Sequence, residues 1–283
     1  MDSFKKIKLA DKLKSIQAEK SALLATNFYN YETLKGVMQA ARNRKLPLIL
    51  QLTQSSIDYI RLPIAVSMAR EALREYEVEG WIHLDHSGSY EWIHRCLDAG
   101  FDSVMIDASE KSLAENITIT RRVVELAGRY DACVEAELGY VAKLGQSSEK
   151  TGFTEPEEAN YFVKETGVHA LAVAIGSAHG FYKQEPRLDL ERLSRIHSIT
   201  DAALVLHGSS GIPATAVTEA VNRGICKINL ATEIKNIFML TLKEQLQHTD
   251  EIDLRKVFPQ ATQAITSLVE EKLIIAENKS HEK

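Results

Sequence analysis

The sequence predicts one (β/α)8 TIM barrel, a single domain spanning residues 1–283 in the α/β class. Three observations carry this: eight short apolar runs recur at intervals of roughly 25–40 residues, helical patterns fill the gaps, and no linker or charge block splits the chain. The runs are continuously apolar rather than alternating, as parallel strands covered on both faces require. A right-handed crossover returns each strand to the same sheet, so eight strand–helix units close into a barrel. An open doubly wound sheet that binds a dinucleotide would carry a GxGxxG turn after its first strand, where this chain reads TNFYNYE.

The strands are expected in order at ALLAT (22–26), PLILQL (47–52), GWIHL (80–84), DSVMI (102–106), ACVEAE (132–137), HALAVAI (169–175), AALVLH (202–207) and ICKIN (225–229). Helical spacing of apolar residues is expected between them over 32–44, 63–76 and 115–130. The segment 154–167 reads as a helix opened by a capping box, Thr154 with Glu157, and closed by Gly167. GYVAKLGQSSEKTGF (139–153) is the longest irregular connection and is expected to be a mobile active-site loop. A C-terminal helix over about 260–275 closes the barrel or joins an oligomer contact, with a disordered tail at 276–283.

Composition bounds the partners. The chain is 45% hydrophobic and 26% charged, a globular profile, and its formal net charge of −5 comes without a basic cluster. That excludes nucleic acid as the main partner, because neutralising phosphates needs a Lys/Arg surface. No apolar run approaches the roughly 20 residues of a membrane span, and the N-terminus lacks the apolar stretch of a secretory signal. Cys96, Cys133 and Cys226 are scattered and odd in number, which suits buried thiols in a cytoplasmic protein.

In such a barrel the functional face lies at the C-terminal ends of the strands. Collected there are Asp85 and His86 after strand three, Asp107 after four, Glu137 in five, His179 and Gly180 after six, His207, Gly208, Ser209 and Ser210 after seven, and Asn229 and Thr232 after eight. Three imidazoles on one rim form a ligand set for catalytic zinc; hydrogen-bonded structural histidines are the competing reading. His83 shares the side of Asp85 one layer deeper and reads as structural, while His94, His197 and His248 read as surface residues. HGSSGIP and NLATE offer backbone N–H groups, hydroxyls and helix N-termini to a phosphate, although a Ser/Gly turn is also simply a tight turn. Asp85 is the obvious acid/base. Lys227 is the one lysine inside a strand that a Schiff-base mechanism would use, and it reads as structural.

The motifs HLDH, SVMID, VEAELG, LAVAIGSAHGFY, LVLHGSSGIP and KINLATE resemble, in order and on the matching strands, the class II zinc-dependent ketose-bisphosphate aldolases, the fructose- and tagatose-bisphosphate group. The resemblance implies a zinc-dependent lyase that cleaves a phosphorylated ketose to dihydroxyacetone phosphate and an aldehyde through a zinc-stabilised enediolate. It makes Asp85 the catalytic acid/base and His86, His179 and His207 the zinc ligands, with Glu137 near the metal and Asp107 at a second cation position. Gly180, Gly208, Ser209, Ser210, Asn229 and Thr232 would hold the triose phosphate, with Asn27, Thr53 and Arg255 as further substrate contacts. A monovalent cation (Na+ or K+) near the phosphate and a homodimer or homotetramer are also implied. Glu149 or Glu137 would protonate the enediolate. The chain departs from the family at Ser87 (usually glycine), Thr53 (usually serine), His169 (usually aspartate) and Leu254 (usually proline), so the half that chooses the aldehyde is diverged. A ketose 1-phosphate, a phosphorylated keto-sugar acid, and a non-catalytic sugar-phosphate-binding barrel stand as alternatives.

Overall fold

The computed structural model describes residues 7–139, 141–143, 152–180, 182 and 186–278. Its strands are β1 (Leu23–Asn27), β2 (Leu48–Thr53), β3 (Gly80–Ser87), β4 (Ser103–Ile106), β5 (Cys133–Leu138), β6 (Ala142–Lys143), β7 (Ala170–Val173), β8 (Ala178–His179), β9 (Ala203–Leu206) and β10 (Ile225–Leu230). Eight of them form a closed parallel barrel in the order β1-β10-β9-β7-β5-β4-β3-β2. The predicted fold is the observed one. The remaining pair, β6 and β8, runs parallel beside the rim with Ala142 opposite Ala178 and Lys143 opposite His179. Part of the connection expected to be irregular is therefore paired, and Glu149 lies outside the described residues.

Strand alternation divides the side chains into two sets. Leu24, Leu50, Ile82, Val134 and Ile228 point outward into the core shared with the surrounding helices. Leu23, Ala25, Ile49, Trp81, Cys133, Ala172 and Val205 point inward and fill the lower barrel. Continuing each strand upward in steps of two exchanges this apolar floor for polar residues: Asn27, Gln51, His83, Glu135 and His207, all at most 1% exposed.

The helix Leu9–Ala18, which the charged N-terminal sequence did not suggest, closes the floor from below. Leu9, Leu13 and Ile16, spaced i, i+4 and i+7, are buried against the inward residues. The indole Nε1 of Trp81 donates to the Ile7 carbonyl (3.0 Å), fixing where that helix begins.

Three local expectations change. Thr154 does not cap a helix: its hydroxyl donates to the Leu138 carbonyl and accepts from Ala174 N–H, tying β5 to the segment after β7, and the helix Pro156–Thr166 starts after Glu155. The C-terminal helix runs Pro259–Glu277 with Asn278 as its left-handed cap, so it takes in residues expected in the tail. An additional helix, Gln54–Ile60, follows β2 and is capped by Thr53. The three thiols are buried as expected, and burial pushes Cys96 and Cys133 up to about 12. His169 sits at the foot of β7, where its Nδ1 accepts from Val134 N–H (3.1 Å), a structural role away from the rim. No described helix is long and apolar enough to cross a membrane.

Leu13→Ala empties the barrel floor and is expected to lower stability by about 2–4 kcal/mol. Chemical denaturation measures the loss. An unchanged midpoint would mean that the helix does not plug the barrel.

Candidate active site

Asp85 and His86 are adjacent on β3, so a regular strand would point them to opposite faces. The structure avoids this with a register shift against β4 between Leu84 and Ser87, and with His86 at φ 48° in the left-handed region. The shift turns both side chains toward the mouth. Ser87 resumes the pairing opposite Ile106; its carbonyl accepts from Asp107 N–H and its hydroxyl accepts from Ser89 N–H. Ser87 lies outside the left-handed region, so its place needs no glycine; the strain falls one residue earlier.

His86, His179 and His207 converge as expected, with ring centroids 5.0, 4.8 and 5.7 Å apart. Glu137 joins them: one ligand atom from each of the four lies within 4.8 Å of the others. His86 Nε2, His207 Nδ1 and Glu137 Oε2 are buried; His207 Nδ1 lies 3.1 Å from Glu137 Oε2, and His86 Nε2 has no hydrogen-bond partner. A buried polar atom is rarely left so, and three imidazoles and a carboxylate gathered at one point fit a cation. The opposite ring nitrogens are held by carboxylates: His86 Nδ1 bonds Asp107 Oδ2 (3.0 Å) and His207 Nε2 bonds Glu135 Oε1 (2.8 Å). This is how proteins fix the tautomer and orientation of a ligating histidine.

Asp107 accordingly stands behind His86 rather than in the ligand group; its other oxygen accepts from Ser109 N–H and Oγ. Burial opposes charge on His207, but the bond to Glu135 and the Glu137 carboxylate hold it up to about 9. His86 is raised in the same sense by Asp107 and Asp85, again against burial.

Asp85 is 5% exposed and faces this group, Oδ1 lying 3.9 Å from His86 Nε2. Burial raises its pKa, but His86, His207, Lys227 and His83 outweigh that and keep the carboxyl below its usual range, hence ionised. Asn27 Nδ2 donates to Oδ2 (3.1 Å) and Asn229 Nδ2 to Oδ1 (3.4 Å), while Gln51 Nε2 donates to Asn27 Oδ1 (2.8 Å). His83 is fully buried, bonds Ser103 Oγ (2.9 Å), and is pressed down to about 3 by burial and by Lys227, so it is neutral. Its expected structural role holds.

The ends of β9 and β10 meet beside the histidines. Gly208, at φ 64°, leaves no room for a Cβ against the Ala178 backbone, and Tyr182 Oη ties the same two loops by accepting from Ala178 N–H (2.6 Å) and donating to the Gly208 carbonyl (2.8 Å). Ser209 Oγ donates to the Asn229 carbonyl (2.6 Å) and Ser210 Oγ accepts from Glu233 N–H (3.4 Å). Thr232 opens the helix Thr232–Leu246, which has no side-chain cap; nor has the helix Ala214–Asn222 after β9. Gly180 follows His179 at φ 110°.

Adjoining the end of β10, where β1 and β2 follow it around the barrel, Asn27, Thr53, Ser55 and Ser56 line a cavity of about 410 Å3 together with Tyr29, Ala231 and Lys235. Arg255 is not brought to the rim. It lies on the short helix Leu254–Val257, 89% exposed, and is clasped by Asp253 through two bonds of 3.0 and 2.8 Å. Sequence reasoning passed over Glu135, Gln51, Tyr182 and Lys235. For Glu135 and Gln51 the signal was present in the two-residue steps that connect them to Glu137 and Thr53.

Comparison with known proteins agrees with this geometry. The family described as "Fructose-bisphosphate aldolase class-II" matches residues 7–281. A D-tagatose-1,6-bisphosphate aldolase subunit, GatY, from Klebsiella oxytoca is 37% identical over 257 residues, covering 89% of this chain and 90% of its own length. The crystal structure of the YdjI aldolase from Escherichia coli K12 superposes with a TM-score of 0.86 at 30% identity, covering 97% of this chain and 98% of that one. Fructose-bisphosphate aldolase (Fba) from Campylobacter jejuni, at 20% identity and a TM-score of 0.83 over 96% of this chain and 95% of its own, shares the fold. The chain belongs to the class II fructose-bisphosphate aldolase family, and it is an aldolase.

Proposed function

We propose that this aldolase cleaves a ketose phosphate of the fructose or tagatose 1,6-bisphosphate type to dihydroxyacetone phosphate and an aldehyde, with Asp85 as the acid/base and with zinc held by His86, His179 and His207. The observation that carries this is the convergence of His86, Glu137, His179 and His207 on one point beside an ionised Asp85. Three imidazoles and a nearby carboxylate are the donor chemistry of catalytic zinc. A zinc ion bound there supplies a Lewis acid that draws electron density from the ketose oxygens.

The chain's own groups do the rest. Asp85, held by two amide donors, takes the proton of the C4 hydroxyl as the C3–C4 bond breaks. Carboxylate–imidazole pairs keep His86 and His207 aimed at one point. The uncapped helix N-termini after β9 and β10 favour the phosphate of the triose half, with a monovalent cation beside it. The aldehyde half is assigned to the cavity at Asn27 and Thr53, whose hydroxyls and ammonium suit a polyhydroxy aldehyde ending in an anion. Protonation of C3 falls to Glu137 or to Glu149. Lys227 is ion-paired to Glu135 at 2.8 Å, which speaks against a Schiff base. The exposed apolar residues Met239, Leu240, Leu246, Ile252 and Leu254 support a homodimer or homotetramer, and the three free thiols support the cytoplasm.

A chelator is expected to abolish cleavage and Zn2+ to restore it; activity that survives metal removal defeats the reading. A panel of phosphorylated ketoses, assayed for dihydroxyacetone phosphate, is expected to favour 1,6-bisphosphates over 1-phosphates. Equal rates would remove the anionic aldehyde end.

Asp85→Ala is expected to keep zinc and lose turnover by about 10²–10⁴-fold. Near-parental kcat would take the acid/base role from Asp85.

Zinc must displace the proton that the carboxylates hold on His207 at pH 7. Uptake should release protons, and affinity should fall as the pH drops from 9 to 6. Calorimetry in two buffers of different ionisation enthalpy reads the release, and identical heats would contradict it.

A further inference from the structure

We infer that Lys227 is a positioning residue, whose buried ammonium fixes both the amide that serves Asp85 and the imidazole of His207. The inference rests on the proposed roles of Asp85 and His207 but concerns a residue that neither role includes.

Lys227 is 1% exposed, inside the barrel on β10. A register shift between Ile225 and Lys227 sets its side chain inward, two residues below Asn229 on the same face. Its Nζ lies 2.7 Å from Asn229 Oδ1 and 2.8 Å from Glu135 Oε2. An ammonium has donors and no acceptor. The carbonyl oxygen of Asn229 must therefore face Lys227, and that leaves Nδ2 turned to Asp85 Oδ1. The opposite amide orientation would set two donors against each other at Lys227 and two acceptors against each other at Asp85.

On its other side Lys227 occupies one oxygen of Glu135, and the second oxygen receives His207 Nε2 at 2.8 Å. That bond leaves Nδ1 of His207 facing His86, His179 and Glu137. One ammonium thus orders a chain that runs from the acid/base, through Asn229, Lys227 and Glu135, to a metal-ligating ring. A lysine that merely filled space would have no preference for the amide's orientation.

The test uses Lys227→Met and the charge-neutral double variant Lys227→Met/Glu135→Gln, in which the amide carbonyl placed at position 135 can still accept from His207. Metal-free proteins are titrated with zinc against a chromophoric chelator, cobalt-loaded proteins give visible spectra, and kcat and KM are measured at saturating zinc. Lys227→Met is expected to lose zinc affinity by about 10–100-fold, the usual effect of removing a group that orients a ligand, with a changed cobalt spectrum and at least a tenfold lower kcat. The double variant is expected to regain zinc affinity and the parental spectrum while kcat stays low, because Asn229 remains unguided.

Folded Lys227→Met with affinity, spectrum and kcat near parental values would overturn the inference. So would a double variant whose kcat equals that of Glu135→Gln alone, or failure of both variants to fold, since a positioning role leaves the fold intact once Glu135 is neutral. If the proposed function itself were wrong, Asp85→Ala would retain turnover in the parental background, an outcome that these variants do not share.

Discussion

Glu135 is a carboxylate where water does not reach, and the upper interior of the barrel is arranged around it. An uncompensated buried charge destabilises by about 3–5 kcal/mol, and compensation requires close partners for both oxygens. Lys227 and His207 supply them at 2.8 Å, with His83 Nε2 at 3.8 Å. Each partner then carries the constraint onward. The ammonium has a further donor and meets Asn229; the imidazole has a second nitrogen and directs it at the ligand group. The same surroundings keep the Glu135 carboxyl well below its usual range, despite the burial that opposes its charge. Satisfying one buried anion and shaping the catalytic mouth are therefore one physical problem here, with β5, β9 and β10 tied together in its solution.

How much of this the sequence displays follows from the two-residue period of a strand. Once Leu23, Ile49, Trp81 and Cys133 are taken as inward, stepping by two reaches Asn27, Gln51, His83, Asp85, Glu135 and Glu137, and the polar ceiling above an apolar floor becomes legible. The period fails where the strands break it. By alternation His86 would face the helices, and it reaches the mouth only because β3 shifts register around a residue with positive φ. No residue type signals that shift, since a histidine at φ 48° looks like any other in a sequence. The same holds on β10, where the shift lets both Cys226 and Lys227 lie inside. Resemblance of motifs grouped His86 with His179 and His207, which the structure brings together, at a point where periodicity alone would have set one of them apart.

Other misreadings arose where distant groups outcompete local ones. Thr154 and Glu157 have the spacing of a capping box, yet the Thr154 hydroxyl serves the buried Leu138 carbonyl and Ala174 N–H, which have greater need of a partner than an exposed helix end. The helix Leu9–Ala18 is rich in lysine, and its three apolar residues show their purpose only when an open barrel floor stands beneath them. Asp107 resembles a cation ligand by motif, but its geometry makes it the carboxylate that orients His86. Arg255 fits a substrate-gripping pattern by spacing, while in this chain Asp253 two residues earlier already satisfies the guanidinium.

The helix starts around the mouth are not alike. The helices after β1, β2, β3 and β4 are capped by their own side chains, Asn30, Thr53, Ser89 and Ser112, so their N–H groups are partly satisfied. The cap residues of the helices after β9 and β10 make no such bond, as is also true of the helix Pro156–Thr166 after β5, although Ser210 Oγ accepts from Glu233 N–H at the start of the helix after β10. In the proposed function one phosphate of the ketose lies on the side of β9 and β10. The hydroxyl-lined cavity near Thr53 adjoins that side, since Ala231 and Lys235 also line it, and there the Lys235 ammonium lies 5.5 Å over the Tyr29 ring. In the same proposal the bond to be broken is set over Asp85 and the histidines, which lie together at the mouth.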